Sequence, residues 1–285
     1  MKHVLVCLAI STSLSAGSIA QEATFRSRTN LVRVDVLVSK GRQPVTDLTP
    51  ADFEIRDNGT AQQIDFMRFE ELPLNVVIVC DMSLSIAGDD AANVRRAIEA
   101  VASTLRRGDR VSLLTFGGRV TEQLKLTDDI AALPAALNRM APTGLTPLLD
   151  AIYSGLTLVG DEPGRSLVLL FSDGIDTASW LPRARLLETV NASPATVYAV
   201  SVGTEATEVL RQVTDASGGR HLEIASSRNL EAAFSEFLTE FRKRYVLGYE
   251  PASNAPGWHR LEIKVRRSGV DVRARSGYTA GRRTP

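Results

Sequence analysis

The sequence predicts a doubly wound α/β domain, a mostly parallel sheet with helices on both faces, inserted into a small β-sandwich. Three observations predict it. Between residues 73 and 244, short runs that are apolar at nearly every position alternate with amphipathic helical stretches, and strands apolar on both faces belong to a parallel sheet covered on both sides. Residues 24–72 and 245–279 instead alternate apolar and polar at a period of two, the mark of a sheet with one buried face. Neither flank carries enough strands to be stable alone, so the two are expected to pair with each other.

From the start of the chain, Lys2 and His3 precede the apolar stretch 4–10, and small residues lead to Ser18-Ile19-Ala20. This reads as a secretory signal over 1–20, cleaved after a small-x-small sequence. The apolar run is too short to span about 30 Å of hydrocarbon, and Cys7 sits at the front of the apolar region rather than after it, where a lipoprotein cysteine stands. The mature chain is therefore expected to be periplasmic or secreted. It divides into an N-terminal β segment (21–72), the α/β domain (73–244) and a C-terminal β segment (245–285) that pairs with the first. Its remaining cysteine, Cys80, sits in an apolar run and reads as a small buried hydrophobe. With one thiol there is no intrachain disulfide, and the fold rests on its core. Lys+Arg and Asp+Glu are both 33, a balance that argues against nucleic acid as a partner.

In the N-terminal segment, valines hold the even positions of 31–38 and form one apolar strand face. Thr49-Pro50-Ala51-Asp52 reads as one helical turn capped by Thr49, with Pro50 at its first position. Asp57-Asn58-Gly59 is a hairpin turn expected to join 53–56 to 63–66. The α/β domain offers strands at 75–80, 111–116, 167–171 and 196–202. Helices are expected near 90–106, 129–139, 147–159, 181–191, 205–216 and 228–243. Val120 to Leu126 follows the second strand after only three residues and reads as an antiparallel edge. In the C-terminal segment, Leu261, Ile263 and Val265 face one way, Ser268-Gly269 turns the chain, and Val270, Val272 and Ala274 face inward. Arg260, Lys264, Arg266, Arg273 and Arg275 alternate outward and are read as one basic face, a solvated surface or a dock for an anion.

Ligands on a doubly wound sheet bind at the carboxyl ends of its strands, and here those ends carry oxygens. The first strand ends in Asp81-Met82-Ser83-Leu84-Ser85, the loop before 147–159 reads Thr143-Gly144-Leu145-Thr146, and 167–171 runs into Ser172-Asp173-Gly174. Asp81 and Asp173 offer two charges, and Ser83, Ser85 and Thr146 three neutral hydroxyls. That set suits a hard cation such as Mg²⁺ or Mn²⁺, which takes oxygen ligands and keeps some of its water. An incoming carboxylate can displace that water. Asp150 is read either as support for this set or as a first-turn helix carboxylate.

Asp81-x-Ser83-x-Ser85, then Thr146, then Asp173 in a Ser-Asp-Gly turn, resembles the complete metal-ion-dependent adhesion site of the von Willebrand factor A family. The resemblance covers about 73–244. It implies a metal-dependent binding module whose protein partner presents an exposed Asp or Glu carboxylate, and it implies that Thr146 coordinates directly in the ligand-ready state. The flanks resemble secreted bacterial A-domain proteins of the acidobacterial type. These share the 31–38 strand, the Leu-Thr-x-x-Asp-Phe segment at 48–53 and the Tyr-x-Leu-Gly-Tyr strand at 245–249.

An enzyme is the weaker reading. The mature chain holds only His221 and His259, and it lacks a Gly-x-Ser-x-Gly elbow or a Gly-rich phosphate loop. Zinc catalysis is disfavoured by the scarcity of Cys and His, and a metal-assisted hydrolase has no base beyond the ligands themselves. A structural envelope component without metal-dependent binding is the remaining alternative.

Overall fold

The computed structural model describes residues 31–69, 72–86, 88–159, 164–203 and 207–281. The expected signal, 1–20, lies outside the described residues. The N-terminal segment holds β1 (Val32–Lys40), β2 (Gln43–Pro44), β3 (Phe53–Asp57), β4 (Thr60–Gln62) and β5 (Phe66–Phe69). The α/β domain runs β6 (Leu74–Asp81), α1 (Asp89–Thr104), β7 (Arg110–Gly117), β8 (Arg119–Thr127), α2 (Leu133–Leu137), α3 (Leu148–Val159), β9 (Arg165–Ser172) and α4 (Arg183–Ala192). It continues through β10 (Thr196–Val202), α5 (Glu208–Ser217), β11 (His221–Ile224) and α6 (Leu230–Arg242). The chain closes with β12 (Tyr245–Tyr249), β13 (Gly257–Val265), β14 (Asp271–Arg273) and β15 (Gly277–Ala280). No helix among the described residues is long and apolar enough to cross a membrane.

The central sheet has the order β11-β10-β9-β6-β7-β8. All its pairs are parallel except β7 with β8, so the edge strand read from the sequence is antiparallel as expected. Every residue of β6 and β9 is buried. The alternation of side chains along β6 explains why: Val76, Ile78 and Cys80 pack in one core with α1, α2 and α6, while Val77 and Val79 pack in the other with α3, α4 and α5. β11 was not legible in the sequence. His221-Leu222-Glu223-Ile224 is a half-buried edge of four residues, too short to declare a period.

The two flanks form one sandwich. One sheet runs β14-β1-β12-β5, with β2 on the edge of β1, and the other runs β15-β13-β3-β4. In the first, N- and C-terminal strands alternate; in the second, β3 pairs with β13. Val34, Val36, Val38, Phe53, Ile55, Tyr245, Leu247, Tyr249 and Leu261 share its core.

The structure corrects two expectations here. Asn58 (φ 48°) and Gly59 (φ 81°) do turn the hairpin, but the returning strand is Thr60–Gln62. Phe66–Phe69 leaves for the opposite sheet and pairs with β12. The five basic residues do not share a surface either, because β13 and β14 belong to opposite sheets. Arg275 turns inward onto the carbonyls of Asn191 and Gly277, at 3.1 and 2.7 Å, and Arg273 reaches the carbonyl of Gly219.

The sandwich meets the α/β domain at the amino-terminal ends of the parallel strands. Arg165, the first residue of β9, donates to Asp35 of β1 at 2.6 Å and to the Phe241 carbonyl at 2.7 Å. Arg244, fully buried, donates to Tyr198 Oη at 3.0 Å and the Gly218 carbonyl at 2.6 Å.

Candidate metal centre

β6 and β9 are neighbours. The chain leaves β6 for α1 on one face and β9 for α4 on the other. This is a switch point in strand order, where diverging loops leave a crevice beyond the carboxyl ends. Asp81 closes β6 there, fully buried. Its Oδ1 accepts the Ser83 N–H at 2.8 Å, and its Oδ2 accepts the Ser172 hydroxyl at 2.8 Å. Ser172 in turn accepts the Gly174 N–H at 3.1 Å.

The remaining groups form a chain. Ser85 Oγ donates to Asp173 Oδ2 at 2.9 Å, and Ser83 Oγ lies 2.9 Å from Ser85 Oγ. Ser85 has one proton and gives it to Asp173, so Ser83 donates in the serine pair. Asp173 Oδ1 accepts the Ile175 N–H at 3.1 Å, which fixes the carboxylate from its other side. Asp81, Ser83, Ser85 and Asp173 are thus one hydrogen-bonded set. Thr146 stands on a loop that touches the 81–85 segment two residues or more ahead of it. Thr143 N donates to the Met82 carbonyl at 2.7 Å, and Leu84 N to the Gly144 carbonyl at 3.2 Å. Thr146 itself is buried. Its N–H donates to Thr177 Oγ1 at 2.9 Å and its carbonyl accepts the Thr177 N–H at 2.9 Å.

Glycine makes this approach possible. A Cβ on Gly117 would lie 2.4 Å from the carbonyl oxygens of both Met82 and Thr143. A Cβ on Gly144, at φ +62°, would lie 2.5 Å from Gly118 Cα.

Asp150 and Asp176 play other parts. Asp150 accepts the N–H groups of Trp180 and Leu181, at 3.1 and 2.9 Å. Asp176 accepts the Leu148 N–H at 2.9 Å and so caps α3. Ser172 was not singled out in the sequence; its signal was a serine ending an apolar strand directly before an aspartate. The histidines lie elsewhere. His221 contacts Ser201, whose hydroxyl is fully buried, and His259 is enclosed in the sandwich.

Burial pushes the Asp81 carboxyl above its ordinary range; the bonds from Ser83 and Ser172 pull the other way, and the charge of Asp173 adds to the rise. A cation is the group that relieves both burial and repulsion. Among the described residues no group of three or more His, Cys, Asp or Glu could hold a metal, so a cation here must use hydroxyl oxygens as well as carboxylates. The spacing allows it. Adjacent ligands at about 2.0–2.1 Å from Mg²⁺ in an octahedron stand about 2.9 Å apart, the separation of Ser83 Oγ from Ser85 Oγ and of Ser85 Oγ from Asp173 Oδ2.

With this architecture in view, the chain belongs to the von Willebrand factor type A domain family, whose model matches residues 75–236. Proteins of this family are typically adhesion and protein-binding modules rather than enzymes. The chain is similar to the UPF0353 protein MAV335 of Mycobacterium avium, 23% identical over 234 residues, 69% of this chain and 68% of that protein. Two solved structures share the fold. A von Willebrand factor type A protein from Catenulispora acidiphila matches with a TM-score of 0.53 at 14% identity, over 90% of this chain and 75% of its own. The proximal thread matrix protein 1 of the mussel byssus, with a zinc-occupied MIDAS motif, matches with a TM-score of 0.55 at 16% identity, over 65% of this chain. This chain covers half the length of the mussel protein (50%).

Proposed function

We propose that this chain is an exported, metal-dependent protein-binding module. In this reading Asp81, Ser83, Ser85, Thr146 and Asp173 hold Mg²⁺ or Mn²⁺, and the partner supplies an Asp or Glu carboxylate. The single observation that carries it is the hydrogen-bonded run Asp81–Ser83–Ser85–Asp173 at the switch point, in which the oxygens of Ser83, Ser85 and Asp173 are spaced as neighbouring octahedral ligands are. When bound, the cation supplies a Lewis-acidic position for an acidic oxygen. The chain does the rest. Asp81 and Asp173 balance two charges, Ser172 and the Ser83 amide hold Asp81 in place, and the close glycine packing of the 143–144 loop on Met82 and Gly118 supports a place for Thr146 near them. The zinc in the mussel protein's MIDAS motif supports a divalent ion at the matching place. Catalysis is not proposed: Ser201, the serine that meets His221, is buried away from substrate.

Calorimetric titration with Mg²⁺ and Mn²⁺ tests the assignment. Asp81→Ala should abolish binding and leave the circular dichroism spectrum unchanged, whereas Thr146→Ala should bind metal more weakly and lose more of its affinity for the partner. Equal binding by wild type and Asp81→Ala, or none by wild type, would sink the reading. Export is tested separately: N-terminal sequencing of the mature protein should begin at or near Gln21, and a start at Met1 in a cytoplasmic fraction contradicts it.

A further inference from the structure

Four large apolar side chains stand exposed around the candidate cation position: Leu84 (67%), Leu145 (62%), Ile175 (41%) and Trp180 (94%). The other large exposed apolar residue among the described residues, Trp258, is on the sandwich. The four are carried by the loops that build the site. Leu84 lies between Ser83 and Ser85, Leu145 precedes Thr146, and Ile175 follows Asp173 by two residues. Trp180 lies on the loop between β9 and α4, its N–H held by Asp150 of the first turn of α3.

These side chains are presented, not loose. Leu84 N donates to the Gly144 carbonyl, the Leu145 carbonyl accepts the Gly118 N–H, and Ile175 N donates to Asp173. On the two sides of Trp180, Ser179 Oγ accepts the Leu149 N–H at 2.9 Å and Leu181 N donates to Asp150 at 2.9 Å. A nearly fully exposed indole on a pinned backbone is the composition of an interface anchor.

We propose that this collar is a specificity rim for a protein partner whose Asp or Glu is flanked, within two or three residues, by large apolar side chains; the proposal rests on the metal-binding reading above. A small carboxylate, a phosphate or a polar glycan would leave the rim wet. An extended peptide places side chains two residues apart about 6–7 Å from each other, so its flanking groups land on the rim when its carboxylate is central. Covering the rim removes water from around the carboxylate, which strengthens its attraction to the site.

The test uses the full mature chain with Trp258→Phe, which leaves Trp180 as its one tryptophan. Three capped pentapeptides are titrated in Mg²⁺, Leu-Gly-Asp-Gly-Phe, Gly-Gly-Asp-Gly-Gly and Leu-Gly-Asn-Gly-Phe, the apolar residues two positions from the centre so that they share its face. The first should bind about tenfold or more tighter than the second and shift Trp180 emission to the blue, and the third should lose binding. Trp180→Ala should erase the preference for the first peptide over the second while the Mg²⁺ titration stays unchanged. Equal affinity for the two Asp peptides, no peptide binding by a protein that binds Mg²⁺, or undiminished binding of the Asn peptide overturns the rim. Absence of Mg²⁺ binding instead overturns the metal reading on which it rests. Self-association in sedimentation that Trp180→Ala dissolves assigns the rim to a second copy of this chain, and also overturns the proposal.

Discussion

His259 is the residue whose surroundings say most about its state. Its Nε2 faces the Ala255 carbonyl at 2.7 Å and its Nδ1 faces Asp57 Oδ1 at 2.9 Å. Both partners are acceptors, so both ring nitrogens carry a proton and the buried ring is an imidazolium. Tyr249 and Tyr278 donate to Asp57 Oδ2 at 2.9 and 2.8 Å, which completes the carboxylate's partners from the opposite sheet and from β15. Burial opposes the charged ring, but the Ala255 carbonyl and Asp57 outweigh it, and the pKa of His259 is raised. The folded state therefore keeps a proton that an unfolded histidine gives up near pH 6.5. This stabilisation is complete below about pH 6.5 and is lost as pH rises through the folded-state pKa. Urea midpoints measured from about pH 5 to about pH 9 should fall across that window, and His259→Gln should flatten the slope. A wild-type midpoint that climbs with pH there contradicts the assignment.

At the scale of the element, the loops around the site are as informative as the strands. Gly144→Ala adds a Cβ at φ +62°, within 2.5 Å of Gly118 Cα. It should cost about 1–3 kcal/mol and weaken Mg²⁺ binding in the same protein, because the loop it distorts carries Thr146. A thermal shift near zero with unchanged metal affinity would show that the loop does not position the site. The sequence made the buried parallel strands legible because apolarity on both faces has one common cause. It made the order of site oxygens legible because each follows such a strand or opens a helix. It did not reveal β11, nor that β5 changes sheets, since both are short strands whose pairing depends on distant partners. Nor did it reveal Arg275 turning inward: alternation tells which face a side chain leaves from, not what waits there.

At the scale of the whole molecule, buried charges join the two parts. Across the boundary, Arg165 and Asp35 pair with side chains only 3% and 17% exposed; inside the α/β domain, at the same pole, Arg242 pairs with Asp109, which also accepts the Leu74 N–H at 2.9 Å. Asp35→Ala leaves the Arg165 guanidinium buried without its carboxylate, a change that costs about 3–5 kcal/mol. Since this pair lies at the amino-terminal pole of the sheet, that loss should appear in denaturant unfolding with no change in Mg²⁺ affinity. A parallel drop in metal affinity would mean that the two poles are coupled.

β6 has a mechanical consequence. It enters the sheet beside the sandwich at Leu74 and ends at Asp81, about 23 Å on at ~3.3 Å per residue. In the proposed reading, tension between a partner held at Asp81 and the sandwich at the other pole enters the domain at Leu74 and where α6 runs into β12, and β6 is the direct line from the first of these to the site. β7 and β9 flank it in parallel register over its length, so a pull loads those hydrogen bonds in shear, many at once, rather than peeling them apart singly. The strand that ends in the first proposed ligand is also one of the domain's two tethers, clamped on both sides by its neighbours.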